Sequence, residues 1–353
     1  TIRESQLKKI IRPNIKIMGS DKAPSAIEKT KQNLKIMLIA KNALWDGLGK
    51  AEDGNHATYH VEIREVLREI GLQLDVQNKF EVLFQRPDTD FVFPLLNRAG
   101  FFNSEMLCPL LCERLSIPYL GASPILRGLS DDKHLAKLVA KNSGVQTAPW
   151  AIYRRGTQID SSLCPKAERY VVKPNNSSAS WGVKEATDWP SIQVAINEVH
   201  DIGHDALVEP FIDGSDVEVP VITNRQLPVI MPMMIFRQAD PSHLRTYQEK
   251  RDLVDRRQKY SLDPFYNPSI TNKIESFTQK LIFPYQPFDY GRWEFRVNED
   301  TGEISFLELN LNCNLWSQKV FGRSATLAGW KHSELIENIL AESLVRHNLM
   351  SLR

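Results

Sequence analysis

Two alternating stretches, Asp289–Asn298 and Glu303–Asn312, flank the turn-forming run Glu299-Asp-Thr-Gly302. Period-2 alternation on both sides of a turn predicts a β-hairpin. On the first strand Trp293, Phe295 and Val297 share one face, and Arg292, Glu294 and Arg296 the other. On the second, Leu307, Leu309 and Leu311 oppose Glu308, Asn310 and Asn312. A three-residue loop Asp300-Thr301-Gly302 places Gly302 at the left-handed position such loops favour. Glu299 then faces Glu303, Glu294 faces Glu308 and Arg292 faces Asn310. Carboxylates directly opposite one another repel, and a divalent cation between them turns that cost into a site. Glu294, Glu308 and Asn310 are all hard oxygen donors, the set that suits Mg²⁺ with phosphates and water completing its shell. The competing reading is a solvated polar face on an edge hairpin. The facing carboxylates and the adjacent Arg292 weigh against it.

The chain has 353 residues, long enough for two or three domains. Its 44 basic and 43 acidic residues nearly cancel, so no basic field argues for nucleic acid. The cysteines Cys108, Cys112, Cys164 and Cys313 lack C-x-x-C spacing and read as reduced core thiols of a cytoplasmic protein. No apolar run reaches the ~18 residues of a membrane span, and the first residues lack a secretory pattern. Neither a membrane nor secretion is expected.

Residues 1–33 form a Lys-rich extension with little periodicity. From Lys35 a short apolar run, Lys35-Ile-Met-Leu-Ile-Ala40, predicts a buried parallel strand. The loop Trp45–Gly54 matches neither a Walker A loop nor G-x-G-x-x-G. Helix 56–70, strands 73–77 and 91–96, helix 103–115 and strand 117–121 then predict an open α/β sheet over 34–128. A central unit is expected over 129–222 and a C-terminal unit over 223–353. Strands are predicted at 150–153, 169–173, 207–212, 217–222 and 229–236, with helices at 189–200, 270–282 and 332–346. The charged stretch 237–265 reads as a mobile loop or lid.

Further motifs give the hairpin its context. Arg169-Tyr-Val-Val-Lys-Pro174 is a strand ending in a lysine, followed by the small-residue loop Asn175–Val183. Such a loop can cover phosphates with its N–H groups. By itself a surface hairpin is the commoner meaning. Leu207-Val-Glu-Pro-Phe-Ile-Asp-Gly-Ser-Asp216 follows. The order Lys-Pro with a small loop, Val-Glu…Gly-x-Asp, Arg-x-Glu, Glu-x-Asn resembles the ATP-grasp superfamily. Within it the chain looks most like the D-alanine–D-alanine ligase branch, over about Leu34 to Glu342. The resemblance implies a three-domain α/β ATP-grasp fold: an N-terminal open sheet and two subdomains that clamp ATP. It implies that Lys133 and Lys173 hold phosphates under a loop including Ser178, Ser180 and Gly182. Glu209, with backbone at Phe211 and Ile212, takes the adenine, and Asp216 the ribose. Lys250 in Tyr247-Gln-Glu-Lys250 reaches the terminal phosphate. Glu294, Glu308 and Asn310 hold Mg²⁺, and Arg292 stabilises the intermediate.

The substrate half departs from that pattern. The first-domain segment reads Leu96-Asn-Arg-Ala-Gly-Phe-Phe-Asn-Ser-Glu105, without the family's Glu-Asp-Gly. Arg251 follows the lid lysine where tyrosine is usual. The loop after the last metal ligand reads Asn310-Leu-Asn-Cys-Asn314, and Lys319 stands where a small hydroxyl residue meets the second substrate. Arg98, Arg251, Asn312, Asn314 and Lys319 are therefore the expected substrate contacts, with Lys319 and Arg251 or Arg98 on a carboxylate. Cys313 reads as a structural or substrate-contacting thiol rather than a nucleophile. His200 and His204, beside Gly203 at a helix end, make a poor zinc pair.

These residues point to an ATP- and Mg²⁺-dependent carboxylate–amine ligase of specialised metabolism, working through an acyl phosphate and not making D-Ala-D-Ala. Expected partners are small-molecule acid and amine substrates and a second copy in a homodimer. Two alternatives stay open: phosphorylation of a non-carboxylate oxygen on a mycosporine-type acceptor, and a non-catalytic ATP-binding protein.

Overall fold

The computed structural model describes residues 16–17, 33–46, 54–95, 104–177, 180–238, 240, 242–244 and 260–351. Three sheets make up the frame. The first has three parallel strands, with Lys35–Ile39 between Gln73–Gln77 and Phe91–Pro94. The run read as buried is so: Ile36, Leu38 and Ile39 are fully enclosed. Helices Asn55–Glu69 and Ser104–Leu115 pack beside it. The strand expected at 117–121 is a single bridge, Val92 to Tyr119. Pro118 has no N–H to extend the ladder, and the chain turns at Gly121, φ 96°.

The second sheet is antiparallel, in the order Ala151–Tyr153, Ala206–Pro210, Tyr170–Pro174, Lys184–Ala186. Helix Trp189–Asp201 packs Ile192, Ile196 and Val199 on it, entered through a capping box between Asp188 and Ser191.

The third sheet has seven strands and is organised by Ser215–Asn224. Leu227–Ile230 and Met234–Gln238 pair along it end to end. The continuous strand expected at 229–236 breaks at Met231–Met233, where Pro232 cannot donate, and Met231 N–H bonds Pro220 O at 2.9 Å. The hairpin lies against the same strand, with Glu294 opposite Glu218. Ser215–Asn224 hydrogen-bonds into this sheet on both sides of the expected 222/223 boundary. Tyr260–Pro264, inside the stretch read as a lid, is a strand paired to Met234–Gln238. Lys16–Ile17, within the extension, pair in parallel with Val229–Ile230 at the sheet edge.

The hairpin spans Tyr290–Asn298 and Glu303–Asn310. Near the expected site the register is as read: Arg292 opposite Asn310, and Glu294 opposite Glu308. Nearer the turn it shifts by one residue, so Glu303 faces Asn298 rather than Glu299. A β-bulge at the Glu294/Phe295 step absorbs the difference. The bulge also changes which side chains reach the core. Ile304 and Phe306 are buried, Leu307 is only half-buried, and Leu309 and Leu311 are buried again. Gly302 sits at φ 72° and donates to Asn298 O at 2.9 Å. Trp293, Phe295 and Val297 are fully enclosed, each contributing roughly 1.5–3 kcal/mol.

One hydrophobic core joins the N-terminal sheet, Tyr290, Cys313 and helix His332–Arg346. Arg346 reinforces this junction from that helix. It pairs with buried Asp289 at 2.8 Å and donates to Gly121 O at 3.0 Å.

After the hairpin, loop Leu311–Lys319 leads into helix Val320–Leu327. The two touch at Gly322, where a Cβ would stand 2.3–2.5 Å from backbone atoms of Ser317. Gly322→Ala is expected to displace this loop and cost roughly 1–3 kcal/mol. Thermal melts check the stability loss.

Candidate active site

Lys133 opens helix Lys133–Asn142, whose N-cap Asp132 accepts from Leu135 N–H. Asn175, just past strand Tyr170–Pro174, holds the same turn: its backbone oxygen accepts from Lys133 N–H at 3.1 Å, and its side chain from His134 N–H at 2.9 Å. This ties Lys133 to the strand end that carries Lys173. Lys133 Nζ donates to Ser177 O and lies 3.3 Å from Glu308 Oε2. Lys133, Ser177, Glu308, Asn310 and Asn312 line one open cleft.

Strand pairing sets three carboxylates in a row: Glu218, Glu294 and Glu308 lie directly opposite across adjacent strands. Arg292 sits among the first two. Its Nε is 2.9 Å from Glu218 Oε2 and 3.0 Å from Glu294 Oε1, and Nη2 also donates to Glu294. Burial works against the Arg292 charge, but Glu218 and Glu294 overcome it and hold the guanidinium above its usual range. Among the described residues no three His, Cys, Asp or Glu side chains gather as one metal cluster. The row divides instead, two carboxylates folding onto Arg292 and Glu308 turning to Lys133. Asn310 Oδ1 accepts from Asn312 N–H at 2.8 Å, and a carbonyl oxygen has a second lone pair to offer. Two carboxylates and an amide oxygen on neighbouring strands fit a hard divalent cation.

Behind Lys173 lies an arrangement that motif order alone does not reveal. Glu209 is 4% exposed and bridges two lysines. Lys173 bonds its Oε1, and Lys137 its Oε2 at 2.8 Å. Lys137 is fully buried, donates to Thr147 Oγ1 at 2.8 Å, and lies 5.2 Å from the Trp150 ring centre. Thr147 in turn donates to Phe306 O at 2.8 Å, next to the hairpin bulge. Burial pushes the Glu209 carboxyl up, but Lys137 and Lys173 prevail and bring it to about 2. One carboxylate cannot hold two buried ammonium groups equally. Burial, against the pull of Glu209, leaves Lys137 below the ordinary lysine range, while Lys173 ends above it, Glu209 and Glu308 outweighing its burial.

Glu209 thus has a depressed folded-state pKa. Its stabilising contribution is fully present above its unfolded value of ~4.3 and is lost as pH falls toward 2. The shift corresponds to roughly 3 kcal/mol. Glu209→Gln is expected to flatten the acid limb of the stability–pH profile between about pH 4.5 and 2, as checked by denaturant melts across that range.

Past Glu209 the chain crosses to the large sheet. Asp216 pairs with Arg296 at 2.8 Å, the residue opposite it on the hairpin, and Arg296 Nε donates to Ile212 O at 2.9 Å. The Arg169 guanidinium lies 3.7 Å from the Phe211 ring centre and Arg296 5.5 Å from it. Arg296 thus touches Phe211, Ile212 and Asp216 together, and Arg169 stacks on Phe211 as well. Among the loop residues, Ser180 (φ 60°) and Gly182 (φ 71°) turn the chain tightly after Pro174. A Cβ at Gly182 would stand 2.7 Å from the Pro174 ring. Trp181 packs edge-on against His204, and His200 bonds Tyr153 O at 3.0 Å.

The expected substrate residues take different places. Asn312 is buried and accepts from Tyr290 O–H at 3.3 Å. Asn314 accepts from Trp316 N–H at 2.8 Å, fixing its own loop. Lys319 is half-buried at the N-cap of helix Val320–Leu327. Burial pushes the Cys313 thiol to about 12, which removes it as a nucleophile near neutral pH. Glu62, from the first helix, accepts from Ser317 N–H at 3.0 Å and joins the N-terminal sheet's helix to this loop. Ser178, Lys250, Arg251 and Arg98 lie outside the described residues.

Lys137, Glu218, Arg296 and Glu62 join the site without being marked by the sequence motifs. Lys137 stands one helical turn from Lys133, and Glu218 two residues beyond Asp216 on an alternating strand; both spacings put them on the face already in use.

A family model described as "D-ala D-ala ligase C-terminus" matches residues 139–341. More than half of the chain is matched, and the protein belongs to this ATP-grasp family. "D-alanine--D-alanine ligase" of Clostridium beijerinckii is 24% identical over 280 residues, covering 77% of this chain and 87% of that one. "Uncharacterized protein y4sG" of Sinorhizobium fredii is 28% identical over 235 residues, 66% of this chain and 68% of that protein. The fold is shared with the Bacillus anthracis D-alanine–D-alanine ligase solved in complex with ATP, at TM-score 0.69 and 18% identity, over 90% of this chain and 99% of that one. Among the described residues no helix is long and apolar enough to cross a membrane.

Proposed function

We propose that this protein is an ATP-dependent carboxylate–amine ligase whose amino-acid substrates differ from the two D-alanines. The observation that carries the reading is the convergence at the hairpin. Glu294, Glu308 and Asn310 stand in register, Arg292 lies among the carboxylates, and Lys133 reaches Glu308 in the cleft that Asn310 also lines. In this reading Glu209 accepts from the adenine amino group, Phe211 and Ile212 present backbone to the base, and Asp216 takes the ribose. Lys133 and Lys173 hold phosphates beneath the Ser178–Gly182 loop, and Lys250 closes on the terminal one. Glu294, Glu308 and Asn310 would hold Mg²⁺, which supplies neutralisation of phosphate charge when bound.

The reaction then runs in two displacements. A substrate carboxylate oxygen attacks the γ-phosphorus, and the bond to the bridging oxygen breaks, leaving ADP. The amine nitrogen next attacks the acyl carbon, and phosphate departs with the carboxylate's oxygen while the amine loses a proton. Arg292 and the lysines act by holding charge as it moves, which is how positioned cations lower such barriers.

The substrate loop supports a departure from D-Ala-D-Ala synthesis. Asn312, Cys313 and Asn314 are committed to buried or backbone contacts, and a lysine rather than a small hydroxyl residue begins the helix at Lys319. We read Lys319, with Arg98 or Arg251, as the cation for a substrate carboxylate, and the setting as specialised metabolism with a homodimeric enzyme. The test is ADP release across a panel of D- and L-amino acids, singly and in pairs. Pairs other than D-alanine with itself are expected to turn over. With an active pair, Lys319→Ala is expected to raise KM for the carboxylate-bearing partner by roughly tenfold or more and to change kcat little. An unchanged KM contradicts that role. Turnover with D-alanine alone contradicts the substrate reading.

A further inference from the structure

We infer that Lys137 is a positioning residue for nucleotide selection: it keeps Glu209 an ionised acceptor while Lys173 serves the phosphates, and so makes the site choose 6-amino over 6-oxo purine nucleotides. The inference rests on the reading of Glu209 as the adenine contact.

The two lysines that share Glu209 are not equivalent. The Lys137 side chain is 0% exposed and the Lys173 side chain 10%. Lys137 is enclosed by Thr147 and the Trp150 ring as well as Glu209. It has nowhere to go when a ligand enters. Lys173 stands one residue before the end of strand Tyr170–Pro174 and feels the charge of Glu308 as well as that of Glu209. It is the one placed to turn toward an incoming polyphosphate. Glu209 is the carboxylate bonded by both ammonium groups, and phosphate oxygens offer Lys173 another anionic partner. Once Lys173 shifts, Glu209 keeps a cation only because Lys137 stays.

That cation decides what Glu209 can recognise. An ionised carboxylate only accepts hydrogen bonds. It suits the 6-amino group of adenine and opposes the 6-oxo group of hypoxanthine, since two buried acceptors face to face leave both unsatisfied. Without Lys137, a buried Glu209 released by Lys173 takes up a proton, and a protonated carboxyl donates. The 6-oxo base is then accepted and the 6-amino base loses its advantage. Thr147 fixes Lys137 from the other side through Phe306 O, so the selecting group is built onto the same hairpin as the carboxylate row.

Dissociation constants for Mg²⁺–ATP and Mg²⁺–ITP, measured calorimetrically on the full chain without amino acids, test this. The wild type is expected to favour ATP by at least about tenfold, a difference of the size a buried polar mismatch produces. Lys137→Met is expected to bring the ratio to within about threefold of one, and Lys137→Arg, which keeps the charge, to restore most of the preference. Where Lys137→Met does not give folded protein, Lys137→Gln, which keeps a donor but no charge, carries the same expectation. A lowered melting temperature with an undiminished ATP/ITP ratio in the neutral variants makes Lys137 merely structural and overturns the inference. Glu209→Gln separates the two levels: a wild-type ratio in that variant shows that Glu209 does not read the base, and removes both the adenine assignment and this inference.

Discussion

Arg292→Met is expected to lose roughly 10³-fold or more in ADP release, and to be destabilised in a way that acid relieves. The arginine lies against Glu218 and Glu294, both less than a tenth exposed. Methionine fills much of the space but takes the guanidinium away from two facing buried carboxylates. Breaking a buried ion pair from one side costs roughly 3–5 kcal/mol, because the remaining charge stays desolvated. The sign of the pH dependence follows. Without Arg292 the two carboxyls repel and sit in low dielectric, so their folded-state pKa values rise above the unfolded ~4.3. A raised folded pKa gives stability that is present below the unfolded value and lost as pH rises through the folded one. The gap between variant and wild type is therefore widest near neutral pH and closes on acidification toward about pH 4. Chemical denaturation at several pH values checks it. A gap independent of pH shows that Arg292 is not the counterion of this pair.

Glu308→Gln separates chemistry from folding more cleanly. The substitution keeps volume and an oxygen donor, and Glu308 is about a quarter exposed, so little stability is at stake. It removes one of two carboxylates from the proposed metal set and leaves Lys133 without its partner at 3.3 Å. ADP release is expected to fall by roughly 10²–10³. The thermal stabilisation by ATP with Mg²⁺ is expected to shrink toward that by ATP without metal, since a ligand stabilises only through its affinity for the folded state. An undiminished Mg²⁺-dependent shift places the metal elsewhere.

Much of this site is legible in the chain. The Arg292–Asn310 and Glu294–Glu308 pairs stand as expected, with the one-residue difference at the turn made up by the bulge at Glu294/Phe295, and helix His332–Arg346 has the expected ends. Other features are hidden for definable reasons. The hairpin bulge shifts the burial pattern between Phe306 and Leu307, two apolar residues that alternation cannot rank. The break at Met231–Met233 lies inside an apolar run whose only local sign is Pro232. A lysine on a helix ordinarily means solvent, and Lys137 is buried because Glu209, Thr147 and Trp150, distant in sequence, enclose it. Glu218 joins the carboxylate row only once its strand is known to lie beside the hairpin. The lid motif Tyr247–Lys250 lies outside the described residues.

In the proposed reaction the γ-phosphoryl group of ATP passes to a substrate carboxylate. Its most direct measurement uses an active substrate pair with the carboxylate of the acid labelled in both oxygens with ¹⁸O, followed by mass analysis of the phosphate released with ADP. One ¹⁸O atom is expected in each phosphate formed, carried over when the amine displaces it. Phosphate free of label at full ADP release, showing that its oxygen came from water or a non-carboxylate group, contradicts it.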